Sequence, residues 1–458
     1  MVAFLLTCGR PAPRLPVVRT DGYSAIVRKQ ISDAVEAAAK PDAKGEAAGR
    51  LGMILQAYRM ERDALTCYES ARILNPSDYR WWHLSAFLQS KKKNTNDAIA
   101  VYREALRLQP ANDSTKLLLA ELLIGSGQMP EARKLLQDLL DSSGRIARAR
   151  LRLGQIHAME GNYAAAIEEY QKALQNVPRY GEAYFALAEA YRKMGDPDRS
   201  KQQLAYFRRW EGSAPAAPDP LLAAVETMNI SPTGLSRHGA GLAADGRFRL
   251  AKSELDKALE SDPNLLSAHI HLIRVEEELG NPAKADEHYK KAVLLDPNSA
   301  RAYAVYAFLL NRRGKPSKAI PLFEKALSLE PENLAAQVSL SEILTGLGKT
   351  EEAESHLRTA LSRDSEDQWA VRALGVLLAA KNRCKEAIPL LEKVKELEGP
   401  AGVEGLMALS SCLKKTGDQE QSVAILRIAR VRVDFGGTEQ QLKSIERDLS
   451  LVSLGKIR

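Results

Sequence analysis

The residue types that most often carry out chemistry are few and scattered in this chain. It has seven histidines, and the closest two, His269 and His271, are two residues apart on a predicted helix. They therefore point to different faces and cannot easily share one metal ion. The run Glu276, Glu277 and Glu278 has the residue type of a metal or acid–base site, but consecutive positions on a predicted helix indicate a solvated helix end. Neither group predicts a metal site.

The short motifs that organise common active sites are missing. The sequence has no Gly-x-Gly-x-x-Gly, Walker phosphate loop, Gly-x-Ser-x-Gly or His-Glu-x-x-His. The four cysteines, Cys8, Cys67, Cys384 and Cys412, form no Cys-x-x-Cys pair. This excludes the zinc, thioredoxin-like and haem-attachment motifs, and the wide spacing argues against a disulfide scaffold. We therefore predict a protein that is not an enzyme and uses no cofactor or metal.

The charge pattern gives little support for a nucleic-acid partner. The net charge is +7 and the densest basic run is Lys91, Lys92 and Lys93. Three lysines in a predicted turn, without interleaved aromatic residues, are a weak nucleic-acid signal, so we expect no such partner. With 45% hydrophobic and 27% charged residues the chain can bury a core. No apolar stretch approaches the length of about 18 residues that predicts a membrane span.

A recurring sequence phrase of alanine, aromatic or leucine, and proline residues predicts the secondary structure of the chain. Six prolines have an alanine five residues before, an alanine twelve before, and an aromatic residue or leucine eight before. They are Pro76, Pro110, Pro178, Pro263, Pro297 and Pro331, and most lie 34 or 68 residues from the next. Alanine and leucine favour helices and proline ends them. The phrase therefore predicts helix pairs, with small residues at close crossings and larger ones filling the gaps.

The period and phrase resemble the tetratricopeptide-repeat family, whose unit is a 34-residue helix pair. The pairs Leu51-Gly52, Leu153-Gly154, Leu187-Ala188 and Leu374-Gly375 match the first helix of that unit. The resemblance implies an all-α, right-handed α-solenoid of about eleven helix-turn-helix repeats in two arms. The chain is also similar to bacterial exported or envelope-associated proteins with many such repeats.

The repeat positions predict the organisation of the chain. The expected parts are a tail that is a remnant signal or tether (1–20), an N-terminal capping helix (21–44), a first arm of about five repeats (45–212), a spacer (213–231), a second arm of about six repeats (232–433), and a C-terminal capping helix and tail (434–458). The first capping helix should turn Ile26, Ile31 and Val35 inward. The second repeat reads as irregular, with a shifted first helix and a stretched turn.

The spacer interrupts the period once. Its text "EGSAPAAPDP" indicates a semi-extended connection, whereas "LLAAVETM" has the apolar content of a short packed helix. We expect a docked spacer that offsets the two arms, and a free hinge is the alternative. Tyr206, Phe207 and Trp210 could cover the last repeat of the first arm.

The resemblance also implies a binding groove. In tetratricopeptide solenoids the first helices line the concave side, where positions 2, 5, 9 and 12 of each repeat point inward. Aromatic and arginine residues often dominate binding energies, although some groove residues simply pack between first helices. The candidate contacts are Trp82, Leu117, Leu151, Phe185 and Glu189 in the first arm, and Ile270, Arg274, Arg301, Phe308, Asn311, Trp369 and Arg372 in the second.

These observations predict a non-enzymatic protein–protein interaction scaffold that binds a protein or peptide segment in the groove. The alternative is an accessory or regulatory subunit of an envelope-associated enzyme complex. A nucleic-acid role comes third and would require binding with a steep salt dependence. The sequence leaves the ligand and the oligomeric state open.

The N-terminal stretch "MVAFLLTCGRPAPRLP" decides the expected location. Leu5-Leu6-Thr7-Cys8 resembles a bacterial lipoprotein signal, in which the cysteine becomes lipidated. Thr7 stands where a smaller residue is usual, the apolar run is short, and no Lys or Arg precedes it. A lipid anchor at Cys8, another form of export to the bacterial cell envelope, and a cytoplasmic protein with a frayed tail all stay open.

Overall fold

The computed structural model describes residues 15–40, 43–92, 94–143, 146–210, 212–215, 219–393, 395, 399–433 and 438–453. Within these residues there are twenty-five α-helices and no strand. None of these helices combines the length and apolar character needed to cross a bilayer. The chain forms two compact units. The first runs to Gly241 and includes Asp256–Pro263, and the second consists of Leu242–Leu255 and the chain from Asn264 onward.

The first unit contains one capping helix, five helix pairs and a short helix from the spacer. Its helices are α1 (Ala25–Ala39), α2 (Gly45–Ala57), α3 (Glu61–Leu74), α4 (Tyr79–Lys91), α5 (Thr95–Leu108), α6 (Asp113–Gly125), α7 (Met129–Ser142), α8 (Ala147–Met159), α9 (Tyr163–Asn176), α10 (Gly181–Lys193), α11 (Pro197–Arg209) and α12 (Pro220–Thr227). The boundary between the units divides the next pair, α13 (Pro232–Ala244) and α14 (Phe248–Ser261), which the sequence had placed wholly in the second arm.

The second unit continues with five further pairs and a terminal helix. These are α15 (Leu266–Glu278), α16 (Pro282–Leu295), α17 (Ala300–Arg312), α18 (Pro316–Leu329), α19 (Leu334–Gly346), α20 (Thr350–Arg363), α21 (Gln368–Ala380), α22 (Cys384–Lys393), α23 (Gly399–Thr416), α24 (Gln419–Val433) and α25 (Glu439–Ser453). The predicted all-α array of eleven helix pairs is confirmed.

Close helix crossings explain the recurring small residues. A Cβ atom built on Gly154 would lie 2.5 Å from Cε1 of Tyr170, and one on Gly52 would lie 2.7 Å from Cδ1 of Tyr68. The aromatic ring of the second helix therefore fills the space that glycine leaves on the first. The alanines of the repeated phrase, such as Ala173 and Ala326, are completely buried.

The second repeat is regular, which corrects the prediction of a shifted helix and a stretched turn. Helix α5 begins sixteen residues after α4 begins, the same interval that separates the starts of α2 and α3. The turn between paired helices normally places glycine in the left-handed region, as at Gly127. Arg59 adopts the same region with φ 65°. A non-glycine residue therefore occupies this turn in the first repeat.

The capping helix α1 buries Val27, Ile31 and Ala38 rather than the full predicted set. Ile26 is 42% exposed, so its predicted inward position is wrong, while Val35 packs against the core from a partly buried position. The buried face of α1 is therefore offset by one residue from the predicted one, so that Val27 rather than Ile26 faces the core.

Cys384 and Cys412 form a disulfide that joins α22 to α23, with Cα atoms 5.0 Å apart. The wide spacing in sequence argued against disulfides, but consecutive helices of a repeat array bring residues 28 apart into contact. Cys67 is buried and free, and burial, with a smaller effect from Asp63, raises its pKa to about 12. Cys8 lies outside the described residues.

Candidate interaction site

Each repeat is a pair of helices, and the first helix of one pair packs against the first helix of the next. This occurs between α4 and α6, α6 and α8, and α8 and α10 in the first unit, and between α15 and α17, α19 and α21, and α21 and α23 in the second. Each unit therefore has a face formed by first helices, which we call its inner face. We count positions from the first residue of each first helix.

Helix α12 of the spacer lies against α2 and α4 on the inner face of the first unit. Val225 is 4% exposed and belongs to the same apolar cluster as Leu51, Leu55 and Leu84. Leu221, Leu222 and Met228 pack against this cluster from the edge. The short helix of the spacer is thus docked on the first unit.

A buried polar group holds the N-terminus of α12. Nε2 of His83 lies 2.8 Å from Oδ2 of Asp219, and Nδ1 of His83 lies 2.8 Å from Oγ1 of Thr115. Oδ1 of Asp219 also accepts the N–H groups of Leu221 and Leu222 at 3.0 and 3.1 Å, which caps the helix. Burial opposes ionisation of Asp219, but these hydrogen bonds hold its pKa below the ordinary value.

The C-terminal end of the spacer has its own anchors. The hydroxyl of Tyr58 accepts the N–H of Ile230 at 3.0 Å and donates to Oε1 of Gln30 at 2.7 Å. Nε2 of Gln30 in turn donates to the carbonyl of Met228 at 2.9 Å. The spacer therefore covers the inner face at α2 and α4, where the sequence predicted a groove for a partner.

Trp82 does not belong to the inner face, which corrects its predicted groove position. Its Nε1 donates to the carbonyl of Pro76 at 3.0 Å, and the guanidinium of Arg72 lies 3.9 Å from the ring centroid. Position 4 makes the same contact in three other repeats, where the side chain donates to the proline carbonyl six residues earlier: Tyr184, Tyr303 and Gln337. Trp82 therefore anchors a turn.

The other candidates of the first unit differ in exposure. Leu117 and Leu151 are buried, which favours packing over binding. Phe185 is 44% exposed, and its ring centroid lies 5.1 Å from that of Phe207. Glu189 pairs with Arg192 at 2.6 Å. The aromatic residues at the end of α11 pack on α10: Tyr206 stacks on Tyr184, and Phe207 lies tilted against Phe185. The guanidinium of Arg179 lies over the ring of Trp210.

A pocket of about 650 Å³ opens on the inner face of the second unit. It lies among α19, α21 and α23, with Gln441 of α25 also lining it. Its walls come from positions 2, 5, 9 and 12 of α19 and 2, 5 and 9 of α21: Ala335, Val338, Glu342, Thr345, Trp369, Arg372 and Val376. These are the positions that the family resemblance pointed inward.

Arg372 is the central polar residue of this pocket, and it is only 4% exposed. Its guanidinium pairs with Glu342 of α19 and with Oε2 of Glu404 of α23, the latter at 2.5 Å. Beside it, Trp369 is 46% exposed, with its ring centroid 5.9 Å from Cζ of Arg372. The pocket therefore combines an open aromatic surface with an arginine whose charge is already matched inside the protein.

The remaining candidates of the second unit lie on α15 and α17, do not line this pocket and differ in exposure. Ile270 is buried, and Phe308 is half-buried with its ring 5.0 Å from that of Phe323. Arg274, Arg301 and Asn311 are exposed. Glu342 and Glu404 were not among the predicted groove residues. Glu342 occupies position 9 and could have been found, whereas Glu404 follows a shortened interval of 31 residues between the starts of α21 and α23.

Within the described residues, no group of three or more His, Cys, Asp or Glu side chains could hold a metal ion. Nδ1 of His269 lies 3.0 Å from Nδ1 of His288. Burial, with a smaller effect from Arg301, lowers the pKa of His271 to about 4.

Family profiles described as tetratricopeptide repeat match four parts of the chain: residues 117–181 and 237–300 by one profile, 157–206 by another and 79–112 by a third. A profile described as the middle TPR-like domain of cilia and flagella-associated protein 70 matches residues 270–398. These matches fall on both units.

Two curated proteins illustrate the similarity. The human antiviral innate immune response effector IFIT1 is 24% identical over 210 residues, covering 46% of this chain and 38% of that protein. The mouse interferon-induced protein with tetratricopeptide repeats 3 is 29% identical over 167 residues, covering 34% of this chain and 41% of that protein. The chain therefore spans about two fifths of the length of these relatives.

Solved structures show a distant likeness. The structure from the functional characterisation of Pseudomonas aeruginosa pilF is 20% identical with a TM-score of 0.43, covering 47% of this chain and 97% of that one. The APC/C hetero-tetramer Cut9-Hcn1 is 16% identical with a TM-score of 0.41, covering 93% of both chains.

Proposed function

Because this chain is a tetratricopeptide-repeat protein, we propose that it is a non-catalytic scaffold that binds a partner protein segment on the inner face of its second unit. Such repeat arrays typically serve as interaction scaffolds. The pocket of about 650 Å³ between α19, α21 and α23 carries the proposal for this face. Large aromatic side chains left half-exposed in a concave site are frequent binding hot spots, and Trp369 is one.

The occupied inner face of the first unit supports the same choice. The spacer already covers α2 and α4, so a partner there would first have to displace α12 and its buried contacts. The pocket of the second unit needs no such displacement. An accessory subunit of an envelope-associated enzyme complex would be one setting for this scaffold.

The experiment selects dodecapeptides from a random phage-displayed library on the full chain and measures their affinity by fluorescence anisotropy. Trp369→Ala should weaken the selected peptides at least about tenfold, as loss of a hot spot does. Phe185→Ala is the matched control, because its aromatic ring has similar exposure in the first unit. Selected peptides that bind Trp369→Ala as tightly as the natural protein would contradict the proposal.

Trp369→Ala is a cleaner test than substitution of Arg372 or Phe308. Loss of Arg372 would leave two carboxylates unpaired, and loss of Phe308 would remove a contact with the buried Phe323. Both changes would alter packing as well as binding.

The lipid anchor at Cys8 stays a prediction. If it forms, the protein made from its native reading frame partitions with membranes and Cys8→Ser releases it. Membrane partition that survives Cys8→Ser, or native protein that keeps residues 1–7, would exclude the anchor.

A further inference from the structure

The carboxylates around Arg372 define the chemistry of the partner segment. We propose, on the basis of the function proposed above, that this pocket selects a basic segment. A lysine or arginine side chain of the partner lies against Glu342 and Glu404, and a neighbouring apolar side chain packs on Trp369.

Glu342 and Glu404 are accessible charges of the pocket, and Asp367 also lines it. Their side chains are 47% and 50% exposed, whereas that of Arg372 is 5% exposed. Each carboxylate uses one oxygen for Arg372, Oε1 of Glu342 and Oε2 of Glu404. The second oxygen of each has no hydrogen bond among the described residues. One guanidinium faces two carboxylates, so this group carries a net negative charge that a cation would balance.

Arg372 supplies a second, independent feature of the site. Its Nε is buried without an acceptor in the described part of the chain. Buried donors are normally paired, because an unpaired one costs about 1–3 kcal/mol. Arg372 therefore leaves Nε unsatisfied while its two terminal nitrogens hold Glu342 and Glu404. Both terminal nitrogens are thus already engaged by carboxylates of this chain.

The apolar part of the pocket complements this charge. Leu334, Val338 and Val376 line it together with Trp369. The aromatic ring offers a surface for the stem of a long basic side chain or for a neighbouring aliphatic group. A mixed basic and apolar segment therefore matches both parts of the pocket.

An acidic segment does not match. Its carboxylate would meet Glu342 and Glu404 at the rim and could reach the buried Arg372 only by displacing one of them. That exchange would replace one carboxylate by another at the same guanidinium and would add a negative charge to a pocket that already has more carboxylates than guanidinium groups, which is unfavourable.

The test uses the dodecapeptides selected on the full chain. Their sequences should be enriched in Lys and Arg over Asp and Glu. A synthetic peptide in which citrulline, a neutral isostere, replaces the key arginine should bind at least about tenfold more weakly, as loss of a close charge pair predicts. Binding should also weaken as NaCl rises from about 50 to 500 mM, because partly exposed pairs are screened.

Matched protein variants check the same contact from the other side. The double variant Glu342→Gln with Glu404→Gln keeps acceptor oxygens for Arg372 but removes both charges, and it should lose about tenfold in affinity. Glu332→Gln removes a similar charge from the pair with Arg363, outside the pocket, and should bind as the natural protein does. The citrulline peptide tests the unmodified protein, so a variant that folds poorly does not decide the outcome.

The outcomes separate the two proposals. If the arginine and citrulline peptides bind equally while Trp369→Ala still abolishes binding, the charge selection is overturned and the scaffold function stands. If no selected peptide depends on Trp369, the proposed function itself fails.

Discussion

The neighbours of a side chain decide how far the same repeat position is buried and what it contacts. Position 5 holds Leu117, Leu151 and Ile270, which are buried, and Phe185, which is 44% exposed. The same position holds His83 and Arg372, and both are buried with charged partners. A polar residue at position 5 of this chain therefore organises its surroundings.

The close helix crossings make a direct prediction. Ala326 is completely buried on α18, so Ala326→Leu should overpack the crossing and lower the free energy of unfolding by about 1–3 kcal/mol. The control is Ala283→Leu, because Ala283 is exposed at the start of α16 in the same unit. Urea denaturation followed by circular dichroism measures both. Equal midpoints for the natural protein and Ala326→Leu would show that the crossing has been assigned incorrectly.

Glu354 predicts a pH dependence of stability. Its side chain is 10% exposed and accepts from Lys381 at 2.7 Å, Arg358 at 2.7 Å and Arg383 at 2.8 Å. The hydrogen bond from Lys381 lowers its pKa most, burial opposes this, and the two arginines add to the lowering, which brings the pKa from 4.5 to about 2. A lowered carboxyl pKa gives stabilisation that is complete above the unfolded value and is lost as the pH falls toward the folded one.

Glu354→Gln should therefore cost about 1–2 kcal/mol at pH 7, since the partners are partly exposed and screened. The difference between natural protein and variant should shrink as the pH falls from 4.5 toward 2. Urea denaturation at several pH values measures it, with Glu332→Gln as the exposed control. A difference that stays constant across this range would rule out the assigned role of Glu354.

The docking of α12 makes a prediction for an element. Asp219 both caps α12 and pairs with the buried His83, so Asp219→Ala removes two interactions. Asp196→Ala is the matched control, because Asp196 caps α11 through the N–H of Arg199 from an exposed site without a histidine. Loss of a cap costs about 0.5–2 kcal/mol, and the loss of the hydrogen-bond partner of the buried His83 adds to that cost.

Hydrogen-exchange mass spectrometry resolves the two effects. In Asp219→Ala, amides of residues 219–231 should exchange at least about 30-fold faster, because local opening becomes easier by about 2 kcal/mol. In Asp196→Ala the change should be smaller and confined to α11. Unchanged protection of residues 219–231 in Asp219→Ala would show that the His83 pair does not hold the spacer.

The helices of the repeats could be predicted because the repeated alanines and prolines are local signals. The helix within the spacer could also be predicted, from its apolar content. Its docking site could not, since the pairing of His83 with Asp219 joins residues 136 apart. The predicted groove position of Trp82 was wrong for a related reason. Trp81 and Trp82 are chemically alike, and only tertiary packing buries Trp81.

The candidate site was predictable only in part. Repeat positions placed Trp369 and Arg372 on the inner face, and both line the pocket. The partners of Arg372 lie about 30 residues away on either side, on helices whose spacing is unequal. The sequence predicted that Arg372 would contact a bound protein, whereas in the structure it pairs with Glu342 and Glu404. That role could not be predicted without knowing where these two glutamates lie.

At the scale of the whole molecule, the inner faces of the two units differ in how much of each is covered. That of the first unit is covered at α2 and α4 by the spacer, whereas that of the second unit has an open pocket around Trp369. The scaffold account therefore assigns partner binding to one defined region of the chain.

The most direct test of this assignment is hydrogen exchange of the full chain with and without a saturating selected peptide. The account predicts slower exchange in α19, α21 and α23, with no change in α4 to α10 or in residues 219–231. A footprint on the first unit, or loss of protection in the spacer on binding, would contradict it.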